Sequence, residues 1–213
     1  MSYDLIIVSQ STIGLAQVTN NCIRSAKQDN ADLNIIVVET GPDFKYEVNE
    51  IVKYNGEFNY NRALNLGLKH AKSDFQILAN NDIIFYKGWS KIGDIMRTNG
   101  YLSACAISND VRQNLFRRGD YAYEGYRIGS EMCGWCIFTD KKLWSIIGNL
   151  DERHQFWFSD NVYADQLIQK NVKHALICSI HVDHLGSKTL IRQNRMIQRQ
   201  FTYTNGLPLR HKK

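Results

Sequence analysis

The sequence predicts an α/β fold, with a parallel sheet and helices between successive strands, in a single domain. Two observations predict it. Short apolar, β-branched runs alternate with segments of helical periodicity through the first half of the chain. The length, 213 residues with 44% hydrophobic and 22% charged content, is enough to bury a full core as one domain or as one domain with a small appendage. Polar residues gather where the apolar strands stop, and ligands of open α/β sheets bind beyond the carboxyl ends of the strands.

Residues 4–9 form the first apolar strand. Residues 11–28 carry Ile13, Ala16, Val18, Cys22, Ile23 and Ala26 at roughly helical spacing, and 33–38 is a β-branched strand, which completes a βαβ unit with a right-handed crossover. After a polar connection, Ala63, Leu64, Leu68 and Ala71 mark one face of a helix over 58–71, followed by a strand over 75–79. The second half is less regular. A helix is expected over 89–96, a strand over 101–107 and a long polar loop over 109–129, a length that is usually functional or mobile. Then come a strand over 132–138, helices over 141–147 and 162–170, a strand over 175–180 and a last helix over 188–200.

Several familiar chemistries are excluded. No GxGxxG follows the first strand, which argues against a dinucleotide fold. Gly186-Ser187-Lys188-Thr189 lacks the P-loop spacing, and Ser9 and Ser11 stand outside any GxSxG elbow. Five cysteines, an odd number, point to reduced thiols. Cys133-Gly-Trp-Cys136 has the spacing of a redox or half-zinc motif, but no second pair completes it, and it reads better as two buried thiols in a strand. No apolar run approaches the roughly 18 residues of a membrane span, and no basic region precedes a long apolar segment near Met1. The expectation is a cytoplasmic protein without membrane insertion.

In residues 75–89, FQILANNDIIFYKGW, two amides and a carboxylate interrupt a core strand. Burying such groups is costly unless something binds them, so Asp82 is a candidate ligand; the alternative is a strand-terminating turn. Glu39 closes the second strand, and the strand over 175–180 runs into His181-Val182-Asp183-His184. Parallel strands bring these ends to one edge, where a carboxylate and an imidazole suit Mn²⁺, or Mg²⁺ with further oxygens. In Phe156-Trp157-Phe158-Ser159-Asp160, an aromatic run delivers Asp160 to a helix start, either as a helix N-cap or as a carboxylate in a walled pocket.

Asn65-Leu66-Gly67, Asn80-Asn81-Asp82, Ile147-Gly148-Asn149-Leu150-Asp151-Glu152, Ser159-Asp160 and Val182-Asp183-His184, in that order over about residues 4–190, resemble the GT-A glycosyltransferases of the family-2 type. The resemblance implies a Rossmann-like, mixed, mostly parallel sheet flanked by helices. It divides the domain into a nucleotide-sugar half at 1–107 and an acceptor half at 108–186, with a basic helix and tail at 187–213. It further implies a metal-dependent, inverting hexosyl- or pentosyltransferase using a nucleoside-diphosphate sugar, with UDP favoured. Asp82 corresponds to the last carboxylate of the metal motif, His184 to the C-terminal metal ligand, with His181 its rival, and Asp160 to the catalytic base. Glu39 takes the place of the nucleoside contact, and Ser9, Asn65, Asn80 and Asn81 are further donor-binding candidates. Asn65 also has a simpler reading, as support for helix-to-strand packing. The family's DxD is here Asn80-Asn81-Asp82, one charge short, which implies modest metal affinity.

The net charge of +5 is concentrated at one end. From Leu185 onward seven basic residues and no acid occur, and the rest of the chain is slightly acidic. Lys188, Arg192, Arg195 and Arg199 fall on one helix face, as a solvated stripe or as a contact to a polyanion, either donor diphosphate or DNA. A polyanion contact would suit a modified base in DNA as the acceptor, while the resemblance equally implies a saccharide or a lipid-linked acceptor. The competing function is a non-catalytic nucleotide- or nucleic-acid-binding module on a degenerate fold.

Overall fold

The fold comes from a computed structural model that describes residues 1–10, 12–29 and 31–186. Its first half follows the expected alternation with one added strand, β3: β1 (Ser2–Ser9), α1 (Ile13–Ala26), β2 (Asp32–Glu39), β3 (Glu50–Lys53), α2 (Tyr60–Leu68) and β4 (Phe75–Asn80). β2 and β4 flank β1, both parallel to it, and the three strands are almost wholly buried. That is why their sequences read as continuous apolar runs rather than as alternating ones. Asp4, a buried carboxylate of β1, accepts from the backbone N–H groups of Lys72 and Ser73 (2.6 Å each) and from the Asn34 amide (2.7 Å). Its charge therefore ties β1 to β2 and to the approach to β4.

The second half contains β5 (Ile83–Phe85), α3 (Ile92–Asn99), β6 (Ser103–Ile107), β7 (Ala122–Glu124), β8 (Cys136–Asp140), α4 (Leu143–Ile147), α5 (Ser159–Gln169) and β9 (His174–His184). The strand order is β3-β2-β1-β4-β8-β6-β9-β5, with β7 also paired to β9. β8 is antiparallel to both β4 and β6, so β6 and β9 regain the direction of β4, and the sheet is mixed but mostly parallel. The carboxyl ends of β4 and β9 therefore face the same edge.

Several expectations are corrected. β3 lies in what reads as a polar connection, because it is a half-exposed edge strand. The 109–129 segment is not all loop: it holds a 3₁₀ turn (Val111–Gln113) and the short edge strand β7. β8 starts at Cys136, so Cys133 precedes the strand; the Cys136 N–H donates to the Cys133 carbonyl (3.2 Å) and closes a turn at Gly134-Trp135. α5 starts at Ser159 with Phe158 at the N-cap in a left-handed conformation (φ 69°), which places Asp160 inside the first turn rather than at the cap. The helix expected over 188–200 lies outside the described residues. Among the described residues no helix is long and apolar enough to cross a membrane.

Candidate functional site

The carboxyl edge of β4 and β9 opens into a cavity of about 690 Å³. Asn80 enters it from the end of β4, His184 from the end of β9, Trp135 from the turn before β8 and Asp160 from α5. Tyr60, Phe156, Trp157 and Phe158 form an aromatic wall. Its volume is in the range of small-molecule sites.

Register explains how Asp82 meets His184. β5 pairs antiparallel with β9 with Ile83 opposite His184, and the Leu185 N–H donates to the Asp82 carbonyl (3.0 Å). The residue just before β5 is thereby set beside the last residue of β9. His184 Nε2 lies 3.3 Å from Asp82 Oδ1, with the two side chains only 12% and 2% exposed. Among the described residues this nitrogen has no aligned hydrogen-bond partner although it is buried, and neither does the indole Nε1 of Trp135, whose ring stacks on the imidazole at 4.9 Å and 10°. A buried ring nitrogen without a bond, beside a carboxylate, fits a pair of ligands to one divalent ion. Donors at adjacent octahedral positions, each about 2.1 Å from the ion, are about 3 Å apart. No cluster of three or more such side chains occurs among the described residues, so substrate or water oxygens would complete the shell. His181, the rival ligand, instead meets Arg118 Nη1 (2.8 Å) and Asp183 (3.3 Å).

Asp160 faces the same cavity. Burial raises its carboxyl above the ordinary carboxylate range, against the pull of its bond from the Asn161 N–H. Gly134 makes its position possible, since a Cβ there would fall 2.7 Å from the Asp160 Cβ and 3.1 Å from its Oδ2. The Cys133-Gly-Trp-Cys136 segment thus contributes through its middle residues rather than through its thiols.

The remaining predicted residues divide into groups. The Asn80 side-chain oxygen accepts from the Tyr60 hydroxyl (2.7 Å) within the cavity. Ser9, Glu39 and Asn81 join a buried network beside it: Asn81 donates to Thr19 (3.1 Å), Thr19 meets Ser9 (3.0 Å), Ser9 meets Tyr46 (3.2 Å) and the Tyr46 hydroxyl donates to Glu39 (2.7 Å). Glu39 also accepts from the Gly41 N–H (2.7 Å). Asn65 is not among the residues lining the cavity. Its amide exchanges bonds with the backbone of Leu150 (2.9 Å each way), while Asn59 and Asn61 hold the carbonyls of Glu152 and Asp151 (2.7 Å each). Three asparagines of the α2 region therefore pin the segment that leads into the aromatic wall and Asp160. Lys188, Arg192, Arg195 and Arg199 lie outside the described residues.

Sequence reasoning missed Tyr60, Gly134, Trp135 and Arg112, whose guanidinium lies 5.5 Å from the Trp135 ring centroid and which also lines the cavity. The available signals were an aromatic at the start of a helix, a Gly-Trp between cysteines and the arginines of the 109–129 segment.

No protein-family model matches the sequence, and no curated protein matches it either. Its fold is similar to that of solved structures. GalNAc-T7, solved with UDP, GalNAc and Mn²⁺, superposes with a TM-score of 0.67 at 9% identity over 86% of this chain and 43% of that one. S. aureus TarS gives 0.66 at 12% identity over 88% of this chain and 37% of that one. Its fragment 1–349 gives 0.62 at 9% identity over 85% and 60%. The chain spans less than two thirds of each of these proteins. With its mixed, mostly parallel sheet and flanking helices, the chain has a GT-A-like glycosyltransferase fold.

Proposed function

We propose that the chain is a glycosyltransferase that moves a sugar, with inversion, from a nucleoside-diphosphate sugar to an acceptor hydroxyl. The observation that carries this reading is the convergence of His184 and Asp160 on one aromatic-walled cavity at the carboxyl edge of the sheet, with the buried Asp82 carboxylate 3.3 Å from the His184 ring. The UDP and Mn²⁺ in the GalNAc-T7 structure support a UDP-sugar donor and a divalent ion, Mn²⁺ or Mg²⁺.

Asp82 and His184 would hold the ion, which supplies Lewis-acid stabilisation to the departing diphosphate. Asn80, oriented by Tyr60, offers its amide to the donor. Asp160 accepts the proton of the acceptor hydroxyl while that oxygen bonds to the anomeric carbon, and the bond to the diphosphate breaks with its electron pair leaving on the phosphate oxygen. A carboxyl raised by burial is a better base than an exposed one. The aromatic wall gives a ring-containing acceptor, saccharide or modified base, an apolar surface beside that base.

The test is release of nucleoside diphosphate from UDP-glucose, UDP-GlcNAc, UDP-galactose and GDP-mannose with Mn²⁺, with saccharide and DNA acceptors added in turn. Turnover of one donor that Asp160→Asn abolishes is the expected result. Nucleotide binding without turnover would leave the non-catalytic module, the reading favoured by the single carboxylate of Asn80-Asn81-Asp82.

A further inference from the structure

Arg112 is built into the cavity more firmly than a surface arginine requires. The Asp110 carboxylate accepts from the Arg112 backbone N–H, which caps the 3₁₀ turn, and takes its Nε and Nη2 in a two-pronged bridge (2.9 Å each). The guanidinium lies over Trp135, whose ring stacks on His184. Below it sits Gly129, at φ 78°, where a Cβ would fall 2.2 Å from Nη1 and 2.4 Å from Cζ. The neighbouring Asn109 accepts from the His184 backbone N–H (3.0 Å), so the turn is anchored to the end of β9. One edge, one face and the floor of the guanidinium are thus fixed. Its side chain remains 52% exposed and lines the cavity with Asp160 and His184, and Nη1 donates to no described group.

An exposed ion pair contributes little to stability, so the arrangement is better explained by orientation than by folding. A pre-oriented guanidinium whose Nη1 meets no acceptor among the described residues fits an anion with paired oxygens. The column Arg112-Trp135-His184 ends on the proposed metal ligand, where the leaving group gathers charge, and Asn80-Asn81-Asp82 brings a single carboxylate there.

Building on the glycosyltransferase reading, we propose that Arg112 binds the terminal phosphate of the donor's diphosphate directly, as a second cation that acts independently of the metal. The contact would persist without metal and would be absent for a nucleoside monophosphate.

The experiment is titration of UDP, GDP and ADP, and of the corresponding monophosphates, into wild type, Arg112→Gln and Arg112→Lys, each with Mn²⁺ and with EDTA. For the diphosphate that wild type binds best, Arg112→Gln should lose about ten- to a hundred-fold in affinity in both conditions, the usual scale of a hydrogen bond to a charged group. The monophosphate should change less than about threefold, and lysine, keeping the charge but losing the stacked fork, should recover part of the loss. Unchanged diphosphate affinity overturns the proposal. So does an equal loss for both phosphates, or a collapse of the melting temperature in both variants, which would make Arg112 a structural prop. A loss confined to Mn²⁺ would show that Arg112 acts only through Trp135 and His184, and would also overturn it. If wild type binds none of the three diphosphates even with Mn²⁺, the glycosyltransferase reading fails first and takes this one with it.

Discussion

Gly134→Ala tests the site where the turn before β8 meets Asp160. The three heavy atoms nearest an added Cβ all belong to Asp160, at 2.7, 3.1 and 3.2 Å. Relieving the first contact requires Asp160 to retreat by several tenths of an ångström to about 1 Å. Overpacking of this kind costs about 1–3 kcal/mol. In a chain of this size each kcal/mol is worth about 2–4 °C in melting temperature, so Tm should fall by roughly 2–12 °C. A displacement of about 1 Å in a positioning element can cost about a hundredfold in rate, so turnover should fall by about ten- to a hundred-fold while nucleoside-diphosphate affinity stays near wild type. The assays are thermal unfolding and Mn²⁺-dependent donor turnover. Asp160→Gly provides the internal control. With all three clashing atoms gone, Gly134→Ala in that background should cost almost no stability, leaving a coupling energy close to the whole single-mutant effect. Wild-type Tm and turnover for Gly134→Ala, or the same stability loss in both backgrounds, would refute the close contact between the turn and Asp160.

Asp82→Asn removes the single carboxylate of its motif and should abolish the Mn²⁺-dependent part of nucleoside-diphosphate binding, as read by calorimetry; a Mn²⁺-dependent affinity in the variant unchanged from wild type would remove Asp82 from the site. Asp160→Asn should keep its fold and donor affinity while turnover falls by roughly 10²-fold or more. Because burial raises the Asp160 carboxyl, the acidic limb of kcat/KM should lie above the ordinary carboxylate range, with activity rising as the pH passes upward through it and the group deprotonates. His154 is buried with neither ring nitrogen bonded among the described residues; burial and the nearby Arg153 lower its pKa against the opposing pull of Asp151. Since the folded state then binds the proton less well than the unfolded state, stability should be retained above about pH 6.5 and lost as the pH falls through the lowered value. His154→Phe should flatten that acid-side decline in Tm, and an unchanged pH profile would count against the mechanism.

The elements most legible in the sequence were those whose burial is uniform. β1, β2 and β4 read as strands because both of their faces are covered, and α1 and α2 because one apolar stripe meets the sheet. β3 and β7 escaped notice because edge strands of three or four half-exposed residues leave almost no pattern. The Cys133-Gly-Trp-Cys136 segment drew attention to its sulfurs, whereas the close approach of Gly134 to Asp160 and the stacking of Trp135 on His184 involve partners tens of residues away.

By itself the sequence determined that polar groups stand at the ends of buried strands, with Asp82 and His184 among them, because a carboxylate or an imidazole placed where an apolar run stops is a local fact. Only the tertiary structure decided which of these groups meet. The opposition of Ile83 and His184 in the β5–β9 pair selects His184 over His181 as the neighbour of Asp82, and the left-handed turn at Phe158 puts Asp160 within the helix and in the cavity. The asparagine hooks of α2 turn Asn65 toward the Leu150 backbone, and Asp110, Gly129 and Trp135 give Arg112 its orientation. Each of these depends on strand register and close approach between segments far apart in the chain, and a one-residue change of register turns every side chain of a strand to its other face.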